Sequence, residues 1–191
     1  MKNINYKNSE NKKLNGKEIL LGICGGIAAY KVPSLIRKLK SLGANITCIL
    51  TENGAKFVTP LTLQTLSNNR VYEDMFDRDI WEVEHVALAK KADIIVVVPA
   101  TADIISRLSY GRAEELLSCV VLASKAPILI CPAMNENMWN HSATQENIGR
   151  LKRFGYNIIN PEKGKLACDD EGIGRLADLE KIVSEICNII G

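Results

Sequence analysis

No apolar run in this 191-residue chain approaches the roughly 20 residues needed to cross a bilayer. The longest, Ile94 to Pro99 and Ile128 to Ala133, are the size of strands, so a soluble protein is expected. The N-terminal stretch Met1 to Asn15 lacks the apolar core of a signal peptide and is rich in Asn and Lys, which reads as a disordered tail and gives no indication of export. A surplus of charge is missing too. With 24 basic and 22 acidic residues the formal net charge is only +2, which leaves no electrostatic footprint for nucleic acid or an anionic membrane. A small phosphorylated ligand stays compatible, because a few backbone amides can hold it. None of the six cysteines (Cys24, Cys48, Cys119, Cys131, Cys168, Cys187) stands in a Cys-x-x-Cys pair, and three lie in apolar strand-like runs. Structural thiols in a reducing cytoplasm are the expectation for five of the six. Internal repeats, low-complexity linkers and a domain break after residue 16 are likewise absent. A hydrophobic content of 47% then suffices for one sizeable core, giving a tail over 1–16 and a single α/β domain over 17–191.

What is present alternates. Glu18 to Cys24, Ile46 to Leu50, Ile94 to Val98, Ile128 to Cys131 and the short Asn157 to Ile159 read as strands. Between them the 3.6-residue period predicts helices over Ala28 to Leu42, Val83 to Lys91, Asp103 to Tyr110, Glu114 to Ser124, Asn140 to Phe154 and Asp178 to Ile190. Thr51 through Ser67 reads as a loop with short helical pieces. Strands that are Val/Ile/Leu-rich almost throughout, separated by helices, imply a parallel sheet covered on both faces.

Three segments share a strand-then-special-loop form: the strand leading to Gly25-Gly26-Ile27, the strand leading to Pro99-Ala100-Thr101-Ala102-Asp103, and Ala126 to Cys131 leading to Pro132-Ala133-Met134-Asn135. In open α/β sheets ligands sit in the crevice outside the carboxyl ends of the strands, so the three loops predict one composite site. A glycine pair before a helix lets the backbone approach a ligand and offers unpaired N–H groups to an anion, a role that Gly25, Gly26 and Ile27 fit. The segment is neither a full G-x-G-x-x-G nor a Walker loop, and tight strand-to-helix packing would explain it equally well. Thr51, just past the second strand, can add a hydroxyl to the same phosphate or simply cap a helix.

Taken together, Gly25-Gly26-Ile27-Ala28-Ala29-Tyr30-Lys31, His85-Val86-Ala87-Leu88-Ala89, Pro99-Ala100-Thr101-Ala102-Asp103, Pro132 to Trp139 (PAMNENMW) and Gly164 to Cys168 resemble, in collinear order over about residues 17 to 185, the flavin-dependent cysteine decarboxylase family. The likeness is greatest to its coenzyme A-biosynthetic branch. The resemblance implies a Rossmann-like flavoprotein fold, bound FMN and assembly of the chain with itself into trimers or dodecamers, with active sites at subunit contacts. It implies decarboxylation of 4′-phospho-N-pantothenoylcysteine to 4′-phosphopantetheine, with oxidation of the thiol-bearing carbon, loss of CO2 and return of the hydride. A cofactor is chemically necessary for this, since no ordinary side chain supplies an electron sink.

The same resemblance assigns His85 as catalytic, and an imidazole with an ordinary pKa of about 6.5 can act as a base at cellular pH. A helix residue satisfied by a local hydrogen bond is the alternative for His85, and a surface helix residue is the expectation for His141. Thr101, Ala102, Asp103, Ile104 and Ala133 are implied to hold the cofactor. Asn135 is implied to grip the substrate carboxylate through its amide N–H, with Met138 closing the pocket. Cys168 is implied to protonate the enethiolate, and Lys165, Leu166 and Ala167 to contact the substrate, Lys165 at its phosphate. A metal is not implied. A separate phosphopantothenate–cysteine ligase is the expected partner, the chain being read as too short to carry a fused one, and the location is expected to be cytoplasmic.

Two positions depart from the family's pattern. Asp103-Ile104 stands where an Asn-Thr pair is usual, and the added carboxylate is expected to disfavour anionic reduced flavin or to rearrange its contact. Asp169 stands where glycine usually follows the cysteine, which bears on the geometry of that flap. Two other functions fit the same residues: an oxidative decarboxylase of a peptidyl C-terminal cysteine, of lantibiotic type, and a non-catalytic flavin-binding regulatory subunit. Retention of Cys168 argues against the first, and intact His85, Asn135 and Cys168 against the second. A nicotinamide dehydrogenase would want a fuller glycine fingerprint and an acidic residue ending the second strand.

Overall fold

The computed structural model of the chain describes residues 13–75, 84–165 and 171–191. Six parallel strands form the main sheet among these residues: β1 (Glu18–Ile23), β2 (Asn45–Leu50), β3 (Val71–Tyr72), β4 (Ile94–Ala100), β5 (Ile128–Pro132) and β6 (Asn157–Ile158). Their order is β3-β2-β1-β4-β5-β6. This is the doubly wound arrangement, with the chain reversing direction across the sheet between β1 and β4, and that junction opens a crevice at the carboxyl edge. The expected α/β class, with a parallel sheet and helices on both faces, is what the chain adopts.

Continuous hydrophobicity in the strands has a direct cause. Ile19, Leu21 and Ile23 of β1 enter one core while Leu20 enters the other, and β4 divides in the same way, with Ile94, Val96 and Val98 opposite Ile95 and Val97. The first core is covered by α1 (Val32–Ser41), α2 (Pro60–Ser67) and α8 (Leu179–Ile190). The second is covered by α3 (Glu84–Lys91), α4 (Ala102–Ser109), α5 (Leu116–Ala123) and α7 (Ser142–Arg153). Each fully buried Leu, Ile or Val contributes about 1.5–3 kcal/mol, so strands buried on both sides are nearly all apolar, Thr47 of β2 being a buried polar exception. No described helix is long and apolar enough to cross a membrane.

Several boundaries differ from those the periodicity predicts. The first helix is split: a 3₁₀ turn spans Ile27–Lys31 and α1 begins only at Val32. Pro33, in the first turn of α1, has no N–H to complete the α-helical ladder backwards, while its fixed φ suits a helix start. Thr59, accepting from the Thr62 N–H, and Pro60 begin α2 where short helical pieces were expected. The helix predicted over Asn140 to Phe154 breaks at His141, whose backbone is extended and whose Nδ1 accepts from the Ala143 N–H at 3.2 Å. His141 is therefore exposed, as a surface residue should be, but it caps α7 and does not lie within a helix. A short helix before it, α6 (Glu136–Asn140), and an antiparallel hairpin of β7 (Glu162–Lys165) with β8 (Glu171–Arg175) have no counterpart in the sequence reading. At the start of the described chain, Leu14 is fully buried and its N–H donates to the Leu42 carbonyl at 3.1 Å. Leu14 and Gly16, which the sequence reading placed in the tail, are thus tied to the folded body, the Gly16 N–H donating to the Gly43 carbonyl at 3.2 Å.

Candidate functional site

The switch-point crevice is an open cleft of about 900 Å³. Its walls come from the three loops that follow β1, β4 and β5, together with the end of β8. The space lies within the 300–1,000 Å³ typical of cofactor and ligand sites.

On the β1 side the two glycines have different reasons to be there. A Cβ on Gly25 would run into Asn53, so that residue is required by packing. A Cβ on Gly26 would meet only Pro99 at 3.8 Å and Thr101 at 4.0 Å, so its bareness leaves room in the cleft. Ile27, 56% exposed, continues the same wall. Thr51 stands aside: its hydroxyl donates to the Ile23 carbonyl at 3.2 Å and accepts from the Gly54 N–H at 3.1 Å, tying the end of β1 to the next turn. Thr51 does not line the cleft.

The β4 loop supplies Thr101, Ala102 and Asp103. Thr101 caps α4 by accepting from the Ile104 N–H at 3.3 Å, which leaves its own hydroxyl hydrogen free to donate. Asp103 pairs with Arg107 at 2.8 Å, one helical turn on, and this bond together with the Asp103 charge raises the Arg107 pKa. The Asp103 carboxylate is thus paired within its own helix, by an arginine that also comes within 3.9 Å of Glu114. Ile104 is buried in the second core and does not reach the cleft. Glu115, half-buried close by, has its carboxyl pKa pushed up by burial despite the opposing pull of Arg107.

The β5 loop supplies Ala133, Met134, Asn135 and Met138. Asn135 is the cap of α6: its Oδ1 accepts from the Asn137 N–H at 2.8 Å. That bond fixes the amide plane and leaves the NH2 group as the free end, with no partner among the described residues. Met138 is 49% exposed at the cleft wall, whereas its neighbour Trp139 is buried in the second core.

The fourth wall was not foreseen. Gly174, Arg175 and Leu176 complete the cleft from the hairpin, and Tyr30 and Lys31 from the 3₁₀ turn. Arg175 is held at the lip by Glu162 at 3.4 Å, a carboxylate that also accepts the Asp178 N–H at 3.2 Å. Lys31 sits within a motif already singled out, while the only sequence signal for Arg175 is the Gly-x-Gly alternation before it.

His85 lies in the first turn of α3 and is half-buried. Helix α3 runs antiparallel to the strands, its far end anchored by Lys91 to Glu18 at the start of β1, at 3.2 Å. His85 is therefore at the carboxyl edge, the same edge as the cleft, yet it is not part of the cleft lining of its own chain. The side chain of Lys165, together with Leu166, Ala167, Cys168 and Asp169, lies outside the described residues.

Three of the five described cysteines behave as packing residues. Cys24, Cys48 and Cys131 are buried, and burial pushes each thiol up, Cys48 to about 12. A thiol reacts as its thiolate, so all three stay protonated and inaccessible near neutrality. Alkylation of the native protein with iodoacetamide at pH 8 is expected to leave Cys24, Cys48 and Cys131 unlabelled and to label them only after denaturation, as read by peptide mass mapping. Rapid labelling of any of the three would contradict the packing described.

The profile of the flavoprotein family matches residues 7–191. The chain belongs to that family. As a flavoprotein it is 46% identical, over 91% of its length and 44% of the relative's, to the coenzyme A biosynthesis bifunctional protein CoaBC of Haemophilus influenzae strain Rd. It spans less than half the length of the curated relatives it matches, 44% also for the CoaBC protein of Borreliella burgdorferi strain B31. Among solved structures it is similar to a PPC decarboxylase mutant complexed with pantothenoylaminoethenethiol, with a TM-score of 0.80 and 26% identity over 90% of this chain and 97% of that one. The FMN-dependent cysteine decarboxylase SpaF gives a TM-score of 0.80 and 29% identity over 90% of this chain and 95% of its own.

Proposed function

We propose that this flavoprotein carries out the FMN-dependent decarboxylation of 4′-phosphopantothenoylcysteine to 4′-phosphopantetheine in coenzyme A biosynthesis. The observation that carries this reading is Asn135. Its oxygen is locked by the helix cap, and its NH2 is offered to the switch-point cleft where a carboxylate donor is needed. The CoaBC relatives and the PPC decarboxylase neighbour support the substrate assignment.

The residues present fit FMN. The room above Gly26, the free hydroxyl hydrogen of Thr101 and the volume of the cleft suit a phosphorylated flavin held by Gly25, Gly26, Ile27, Thr101, Ala102, Asp103 and Ala133. Thr51 and Ile104 act one layer behind, as supports of those loops. When bound, FMN supplies a reversible two-electron acceptor, a capacity that no side chain has.

The chain's own residues do the rest. Asn135 donates its amide N–H to the substrate carboxylate and orients it, and Met138 covers the apolar side. His85 accepts the thiol proton, and Cys168 returns a proton to the enethiolate carbon after CO2 has left. Lys165, Leu166 and Ala167 contact the substrate, Lys165 at its phosphate. Since His85 is outside the cleft of its own chain, the reading requires a second copy to bring its His85 to the site. The exposed apolar residues Ile27, Tyr30 and Met138 at the cleft support coverage by such a neighbour, in a trimer or a larger assembly of trimers. The protein is proposed to work in the cytoplasm beside a phosphopantothenate–cysteine ligase that makes its substrate.

Loading the purified protein with FMN and supplying substrate labelled in the cysteine carboxyl tests the proposal. One FMN per chain and release of labelled CO2 are expected, and absence of either would overturn it. The Asp103–Arg107 pair adds a test of the cofactor loop. Asp103→Asn is expected to change FMN affinity less than about threefold, because Arg107 already offsets the charge, whereas Arg107→Gln frees the carboxylate and is expected to weaken binding about tenfold. Fluorescence titration of FMN measures both. The reverse order of effects would return the uncompensated charge that the sequence alone suggests.

A further inference from the structure

We infer that Glu136 is a positioning residue that holds β8 against the Asn135 loop and so builds the substrate end of the cleft. The inference rests on the proposed decarboxylase reading for its kinetic consequence but not for its geometry.

Glu136 follows Asn135 directly, in the first turn of α6, and is only part-exposed. Its Oε1 accepts the backbone N–H of Ile173 at 3.1 Å. One residue pair away, the Met134 N–H donates to the Gly174 carbonyl at 3.0 Å. The strand is shaped for this seat. Gly172 and Gly174 are buried while Glu171, Ile173 and Arg175 are exposed, the two-residue alternation of a strand with one face packed. A Cβ on Gly172 would collide with the Glu136 carboxylate, and one on Gly174 with the Met134 carbonyl. Two bare positions on one face therefore let the backbone of β8 lie directly on the loop, with the Glu136 side chain bridging to it.

The consequence follows from what β8 carries. Gly174, Arg175 and Leu176 line the cleft beside the Asn135 loop, and among the described residues β8 is paired only with β7 in a two-stranded sheet separate from the main one. A lone two-stranded hairpin is marginal by itself, so its place depends on what it docks against. A charged acceptor makes a stronger hydrogen bond than a neutral one, and Glu136 supplies it at the midpoint of the strand.

Length and charge can be separated by substitution. Gln keeps an acceptor oxygen at the same reach, whereas Asp keeps the charge but is one methylene short of the Ile173 N–H. In the FMN-loaded protein, amide exchange over residues 172–175 is expected to quicken about ten- to hundredfold in Glu136→Ala and Glu136→Asp and to stay within about fivefold of the parent in Glu136→Gln. KM for 4′-phosphopantothenoylcysteine is expected to rise about tenfold in the Ala and Asp variants, with kcat lowered less and FMN retained. Unchanged exchange in Glu136→Ala would overturn the inference, as would a Gln variant as impaired as Ala beside a normal Asp variant, which would mean that the charge alone matters. Faster exchange with an unaltered KM would overturn the link to the substrate end. A parent protein inert toward this substrate would defeat the decarboxylase reading instead, leaving the exchange series to decide the role of Glu136.

Discussion

Asn135→Asp is expected to lower decarboxylation about a thousandfold while the protein stays folded and keeps its FMN. Asp caps a helix as well as Asn does, so the bond to the Asn137 N–H and the start of α6 survive. What changes is the other end of the side chain. The unpartnered NH2 of this cleft-lining residue becomes a second carboxylate oxygen, which on the proposed reading sets an anion against the substrate's own carboxylate where a donor is needed. Asn135→Ala removes both roles and is expected to lose, in addition, about 1 kcal/mol of stability through the cap. Steady-state kinetics on the Asp variant, with thermal unfolding of both, separates the roles. Near-parental turnover in Asn135→Asp would reduce Asn135 to a cap.

His85→Asn is expected to cost about a thousandfold in turnover, within the range for loss of a general base. The location of His85 makes a further outcome specific. It stands at the carboxyl edge of the sheet but outside its own chain's cleft, so on the proposed reading a site would take its cleft from one chain and its base from another. Chains bearing His85→Asn and chains bearing Asn135→Asp are each expected to be nearly inactive alone. When the two are unfolded together and refolded in equal amounts, about a quarter of the contacts join an intact cleft to an intact histidine, and activity is expected to return to about that fraction. A mixture as inactive as its parents would mean that His85 acts within its own chain or not at all.

The sheet was legible because its longer strands are mostly buried on both faces and read as near-continuous Val/Ile/Leu runs, and because the helices between them keep a clear apolar stripe. The pattern blurred wherever a local residue overrode the period. Pro33 turned the start of the first helix into a 3₁₀ turn, and His141 used its ring nitrogen as a cap where a continuous helix was expected. β3, α6 and the two strands of the hairpin, of two to five residues each, were too short to show a period of their own, and they form because neighbours supply the hydrogen bonds.

The candidate site was legible for a related reason. Gly26, Thr101, Asp103, Asn135 and Met138 follow directly after long strands, and the topology brings the ends of those strands together. Leu176 and Arg175 reach the same cleft only because Gly172 and Gly174 let the hairpin settle on the Asn135 loop, a relation between distant segments that no local spacing encodes. The significance of Asp103 also changed once its partner was visible: the sequence presents a new charge, and the fold presents a charge paired with Arg107.

The most direct measurement is the mass of the product formed when the FMN-loaded protein is given 4′-phosphopantothenoylcysteine in the absence of air. A product lighter than the substrate by CO2 alone is expected, since the two electrons removed before decarboxylation are returned after it. A product lighter by CO2 and two further hydrogens would contradict the return step assigned to Cys168, and unchanged substrate would contradict the function proposed for this chain.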